Sequence, residues 1–126
     1  MVDSTDSSAL LETWAIHNRI NIFLLSAISP AGLGAMAAGK GRSVGLQFAH
    51  LHNVRLMWLK AAAPELLEGQ EKFDSDDAPT PAALKTALNL SAAAIGTMVS
   101  AALSTNGRIK GFKPHATAFI GYLIAH

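Results

Sequence analysis

The chain of 126 residues contains no cysteine. Disulfide bonds, thiolate metal ligands and cysteine nucleophiles are therefore excluded, and any metal site has to use imidazole and carboxylate groups. The absence of cysteine fits the reducing cytoplasm. The first eight residues also lack the positive charge and the apolar core of a signal peptide. We therefore expect a cytoplasmic protein.

Charged residues are scarce, at 15% of the chain, and they nearly cancel to a formal net charge of +1. A net charge this small, with the basic residues scattered along the chain, gives no positive surface for a nucleic acid, and we expect no nucleic-acid partner. Hydrophobic residues make up 50% of the chain, which predicts one compact domain over residues 1–126. The alanine-rich stretch 82–103 carries too many polar side chains for a membrane span, so we expect no membrane contact.

No segment alternates with period two, whereas four segments show helical periodicity. They cover about residues 8–28, 44–63, 81–103 and 114–126. Ser43 is the predicted N-cap of the second helix, and Thr80 followed by Pro81 is a typical start for the third. Helices with apolar faces and no strands bury those faces on one another. The sequence therefore predicts an all-α fold, a four-helix bundle.

Residues 34–40 match the G-x-x-x-x-G-K pattern of a phosphate-binding loop. The next residue is Gly41, where such a loop has the Ser or Thr hydroxyl that binds magnesium, and the run follows a helix instead of a strand. We interpret it as a glycine-rich connection between two helices and expect no nucleotide cofactor.

Two of the five histidines, His50 and His126, are the best candidates for a shared site. At about 100° per residue, His50 shares a helix face with Val54 and Met57, whereas His52 points roughly 160° away. We therefore expect His50 to face the core and His52 to face away from it. His126 lies on the inward stripe of the fourth helix.

The other histidines are weaker candidates. His17 shares the core face of the first helix with Trp14 and Asn21, but a single core histidine is more often a hydrogen-bonded structural residue than a ligand. His115 lies about three helical turns before His126, which is too far along the axis to share an ion with it.

Two segments of the chain resemble the DinB/YfiT-like superfamily of metalloenzymes: residues 43–59 (SVGLQFAHLHNVRLMWL) and residues 121–126 (GYLIAH). Residues 14–25, with Asn18-Arg19, resemble the first helix of that family. Family members are four-helix bundles, often dimeric, in which a histidine of helix two and an H-x-x-x-H pair of helix four bind a divalent metal. The resemblance implies that His50 is the first ligand and His126 the first of the pair.

In the family, the third ligand follows four residues after the position of His126, where the printed chain has already ended. We therefore expect a truncated fourth helix, a site that lacks one ligand, and a homodimer that covers the apolar surface beside the short helix. Imidazole ligands suit Zn, Ni, Fe or Mn. His17 and Tyr122 are expected beside the metal, in supporting positions.

The resemblance implies a metal-dependent enzyme that transfers a low-molecular-weight thiol or hydrolyses a small-molecule substrate, with the metal activating the thiol or water. The alternative is a non-catalytic helical bundle or dimerisation module without an occupied metal site, in which the histidines are packing residues. The sequence identifies no catalytic residue.

Overall fold

A computed structural model describes residues 4–36, 41–74 and 79–126, which are mostly helical, and the protein is all-α. The elements in chain order are α1 (Ser4–Ala27), α2 (Pro30–Leu33), α3 (Val44–Ala62), a 3₁₀ helix (Pro64–Leu67), α4 (Pro81–Leu103), β1 (Arg108–Ile109), β2 (Phe112–His115) and α5 (Ala116–Ala125). Part of the glycine-rich run at 34–40 lies outside the described residues.

Helices α3 and α4 begin where their capping residues predict. The Ser43 hydroxyl accepts a hydrogen bond from the Leu46 N–H at 3.2 Å, and the Thr80 hydroxyl accepts one from the Ala83 N–H at 3.1 Å. Pro81 occupies the first turn of α4, where its missing N–H breaks no helical hydrogen bond. The predicted starts of these two helices are confirmed.

The chain between α4 and α5 contains a strand pair that the sequence did not predict. β1 and β2 are antiparallel, with Arg108 opposite His115 and Ile109 opposite Phe112. Between them, Gly111 has a φ of +89°, a backbone conformation that favours glycine. The prediction that no strand would form was wrong, because strands this short do not show a readable period-two pattern.

Helix α5 begins at Ala116, not at Pro114, because Pro114 belongs to β2. His115 is the N-cap of α5, and its Nδ1 accepts a hydrogen bond from the Ala118 N–H at 3.2 Å. This histidine therefore has a structural role at the start of the helix, well away from His126 at its other end.

Helix α4 lies at the centre of the packing, where it contacts both α1 and α3, and α5 contacts α1 and α4. The largest fully buried apolar side chains are Leu25, Leu59, Leu84, Leu88, Ile95, Val99, Phe119 and Ile120. In the part of the chain that the structure describes, α4 is the one helix long and apolar enough to cross a membrane. This helix packs against α1 and α3.

The face of α3 that meets the core differs from the predicted one. His52 is fully buried, at 0% exposure, whereas Met57 is 55% exposed and His50 is only partly buried. The His52 ring donates a hydrogen bond from Nε2 to the Glu71 carbonyl at 2.7 Å, because the segment after the 3₁₀ helix folds back over this side of α3. The prediction that His50 faces the core and His52 faces away was wrong.

Arg55 is a buried cation that the sequence analysis missed. Its side chain is 3% exposed, and Nη1 donates to Asn18 Oδ1 at 3.1 Å, to the Leu88 carbonyl at 2.9 Å and to Ser91 Oγ at 3.2 Å. The guanidinium also lies 4.8 Å from the centre of the Trp14 ring. Burial lowers the pKa of Arg55 to about 10, so the group stays charged at neutral pH. This network joins α1, α3 and α4.

Candidate two-histidine site

The structure places the rings of His50 and His126 in contact. Their Nε2 atoms lie 3.1 Å apart, and the ring centroids are separated by 5.2 Å. This distance allows a hydrogen bond in which the N–H of one ring donates to the lone pair of the other. The two nitrogens therefore face the same small volume.

This spacing fits two ligands of one divalent cation. Imidazole nitrogens lie about 2.0–2.1 Å from a bound zinc ion, which puts two nitrogens of a tetrahedral site about 3.3 Å apart. The Nε2 atoms of His50 and His126, at 3.1 Å, need only a small adjustment to reach that separation. The donor set of neutral imidazoles also matches Zn, Ni, Fe or Mn.

Helix α5 and its aromatic contacts hold His126 in place. The backbone N–H of His126 donates to the carbonyls of Tyr122 and Leu123 at the end of the helix. The Tyr122 ring lies beside the His126 ring, with centroids 5.7 Å apart, and it also packs edge-on against Trp58 of α3 at 6.0 Å. The Tyr122 ring thus contacts the histidine and links α5 to the helix that carries His50.

The two histidines lie at one cavity of about 590 Å³, a size that suits a small-molecule ligand. The cavity is lined by His17, Asn21, Arg42, Gln47, Phe48, His50, Leu51, Ile124, Ala125 and His126. The site is therefore a partly open pocket between α1, α3 and α5, and it is not enclosed in the core as the sequence analysis expected.

His17 shares the cavity, but a neighbour already engages its ring. Asn21 Nδ2 lies 3.2 Å from His17 Nε2 and 3.1 Å from the His17 carbonyl, so one amide donates to both groups. This hydrogen bond uses the Nε2 lone pair that a metal would need. His17 is accordingly a supporting residue of the cavity wall and not a third ligand in this arrangement.

Within the described ranges, no group of three or more His, Asp or Glu side chains lies close enough together to hold a metal ion. The acidic residues of the 3₁₀ region, Glu65, Glu68 and Glu71, are all exposed, and none of them lines the cavity. Two imidazoles are thus the protein ligands that the described residues offer, and the other positions on an ion are open to water or substrate.

Arg42 and Gln47 are cavity residues that the sequence analysis did not single out. Arg42 directly precedes the N-cap of α3, and Gln47 Nε2 donates to the Arg42 carbonyl at 3.4 Å. The sequence contained one indication of their role. Both residues lie within eight positions of His50, at or just before the start of the helix that carries it. Only the position of α5, which brings His126 to that end, makes them part of a site.

Burial and nearby positive charge favour the neutral forms of His17 and His50. Burial lowers the pKa of His50 below its ordinary value, and Arg42 and His126 act in the same direction. Burial also lowers the pKa of His17, with a further contribution from Arg55. Neutral imidazole is the form that binds metals, so these lowered pKa values favour metal binding near neutral pH.

We expect the protein to lose stability as the pH falls below about 6.5. The pKa values of His17, His50 and His52 are all lowered, in each case mainly by burial, so the unfolded chain binds these protons more readily than the folded chain. Their contribution to stability is present above the unfolded-state pKa and is lost as the pH falls towards the folded-state values.

Urea unfolding at pH 7.5, 6.5 and 5.5 measures this dependence. In the variant His52→Gln, the amide can still donate to the Glu71 carbonyl but does not titrate, so we expect a flatter dependence on pH. An unfolding midpoint for the unmodified protein that does not change over this range would contradict the expectation.

The chain is an all-α protein in which two imidazoles meet in a cavity at the surface. Comparisons with models of protein families, with curated proteins and with solved structures found no match to it.

Proposed function

We propose that this protein is a divalent-metal-dependent enzyme of the DinB-like type that acts on a small-molecule substrate. The observation that carries the proposal is the contact between His50 and His126, whose Nε2 atoms lie 3.1 Å apart at a cavity of about 590 Å³. The resemblance of residues 43–59 and 121–126 to that superfamily supports it. The proposal includes a four-helix bundle formed by α1, α3, α4 and α5, and a cytoplasmic location.

The reaction we propose is transfer of a low-molecular-weight thiol to an electrophile, or hydrolysis. A Zn, Ni, Fe or Mn ion held by the His50 and His126 nitrogens would lower the pKa of a coordinated thiol or water and so supply a nucleophile near neutral pH. His50 and His126 present the nitrogens that would hold the ion, and Tyr122 packs beside the His126 ring. Phe48 and Leu51 contribute apolar side chains to the cavity wall.

Metal content per chain, measured by elemental analysis, tests the proposal directly. The protein is analysed as purified and after loading with Zn, Ni, Fe or Mn and removal of excess metal. We expect close to one ion per chain for at least one of these metals, and thiol-transfer or hydrolase activity that a chelator removes. Absence of bound metal under every loading condition would overturn the proposal.

An exposed apolar stripe on α1 favours a second function, dimerisation. The stripe consists of Ile16, Ile20, Phe23 and Leu24, which recur at helical spacing on one side of α1. Phe23 is 71% exposed and Ile20 is 53% exposed. Several large apolar side chains exposed together are typical of an interaction surface. We propose that the stripe forms a homodimer interface. If the cavity holds no metal, the alternative function is that of a non-catalytic dimerisation module.

Light scattering coupled to size-exclusion chromatography tests the dimer. We expect the unmodified chain to elute as a dimer and Phe23→Lys to elute as a folded monomer, because Phe23 is exposed on the surface of the single chain. Leu90→Lys is the matched control, since Leu90 is 47% exposed on α4. A monomeric unmodified chain would contradict the proposed interface.

A further inference from the structure

We propose that the substrate of the two-histidine cavity carries a carboxylate and that Arg42 binds it. This inference rests on the proposed function, because it names the chemical class of the molecule that the same cavity takes. The observation that supports it is that every ionisable side chain among the described residues lining the cavity is basic.

The ionisable side chains that line the cavity are all basic. They are Arg42 and the imidazoles of His17, His50 and His126, and none of the described lining residues has an acidic side chain. The buried guanidinium of Arg55 adds positive potential, since it acts on the pKa of His17. A divalent metal would raise the positive charge further. A ligand with a negative charge is therefore favoured over a neutral one of the same shape.

Arg42 is placed to supply the charged contact. It is exposed, it directly precedes the N-cap of α3, and the Gln47 amide holds its carbonyl at 3.4 Å. A guanidinium offers two parallel N–H donors that match the two oxygens of a carboxylate. Arg42 is the one guanidinium among the described lining residues, so the cavity offers one two-donor contact of the kind that a carboxylate accepts.

The other lining residues indicate which chemical group the cavity would accept next to the carboxylate. Phe48, Leu51 and Ile124 contribute apolar side chains to the cavity, and such surface favours an apolar or aromatic group next to the charged one. The ligand class is thus a small monocarboxylate with an apolar part, oriented by Arg42 so that the rest of the molecule reaches His50 and His126.

Binding of benzoate and of its uncharged analogue benzamide tests this inference. The histidine ring proton resonances are followed by NMR during titration, in metal-free and in metal-loaded protein. We expect saturable shifts with benzoate and none with benzamide. Arg42→Gln should weaken benzoate binding at least about tenfold, the loss expected for one charge-assisted contact. Arg19→Gln is the matched control, because Arg19 is exposed on α1 and does not line this cavity.

The outcomes separate this inference from the proposed function. Equal binding of benzoate and benzamide, no binding of either, or unchanged benzoate binding by a folded Arg42→Gln variant would overturn the carboxylate site. Metal content is measured on the same samples and should not change in Arg42→Gln. Benzoate binding that depends on Arg42 in a protein that takes up no metal would support the anion site and overturn the metalloenzyme proposal.

Discussion

Replacing His50 with alanine is expected to abolish metal binding and the rise in melting temperature that metal produces. His50 supplies one of the two nitrogens that face the shared volume, so the variant retains a single imidazole there. A ligand present at 100 times its dissociation constant stabilises a protein by about 2.7 kcal/mol, and the variant should lose all of that increment. Elemental analysis and thermal melts with and without metal measure both effects.

Two further variants make this test specific. His126→Ala should behave like His50→Ala, because it removes the other nitrogen. His115→Asn should retain full metal content, since His115 lies at the other end of α5 from His126 and asparagine can accept the same hydrogen bond from the Ala118 N–H. Full metal content in His50→Ala and His126→Ala would show that the bound metal lies elsewhere.

Replacing Phe119 with alanine is expected to lower the free energy of unfolding by about 3–5 kcal/mol. Phe119 is fully buried, and its ring makes edge-on contacts with Trp58 and Phe112, each with centroids 5.3 Å apart. Domains have total stabilities of about 5–15 kcal/mol, so the loss is a large part of what holds the fold together. Urea unfolding monitored by circular dichroism measures it.

The same substitution should also reduce metal loading, because Phe119 anchors the helix that ends at His126. Phe119→Leu retains most of the buried apolar volume and should cost less. Leu84→Ala is the matched control, since Leu84 is fully buried in a separate apolar cluster with Leu25 and Leu88. It should lower stability but leave metal content unchanged in the folded protein. A Phe119→Ala variant with the stability of the unmodified protein would contradict the packing described here.

The starts of α3 and α4 could be predicted from the sequence because helix capping is local. Ser43 and Thr80 each bond to a backbone N–H three residues ahead, so the residues that determine the cap are neighbours in the chain. The hairpin before α5 could not be predicted, because two short strands carry too little pattern and their pairing depends on a turn at Gly111. The start of α5 was misplaced as a result.

The orientation of α3 shows a second limit of prediction from the sequence. A repeat of about 100° per residue identifies residues that share a face, but it does not identify the face that meets a neighbouring helix. α3 has apolar residues on more than one side, and its packing buries His52 and Arg55 while leaving His50 at a surface cavity. A buried arginine is also outside what hydrophobic patterning predicts, because its burial depends on acceptors from α1 and α4.

The all-α class, the caps of α3 and α4 and the choice of His50 and His126 as candidates could be read from the sequence, because they depend on composition and on residues close together in the chain. The contact between His50 and His126 and the exposed apolar stripe of α1 could not, and they are visible only once the helices are packed. The physical reason is that contacts between helices depend on how whole faces pack around α4, a balance of burial and hydrogen bonding summed over many residues distant in sequence.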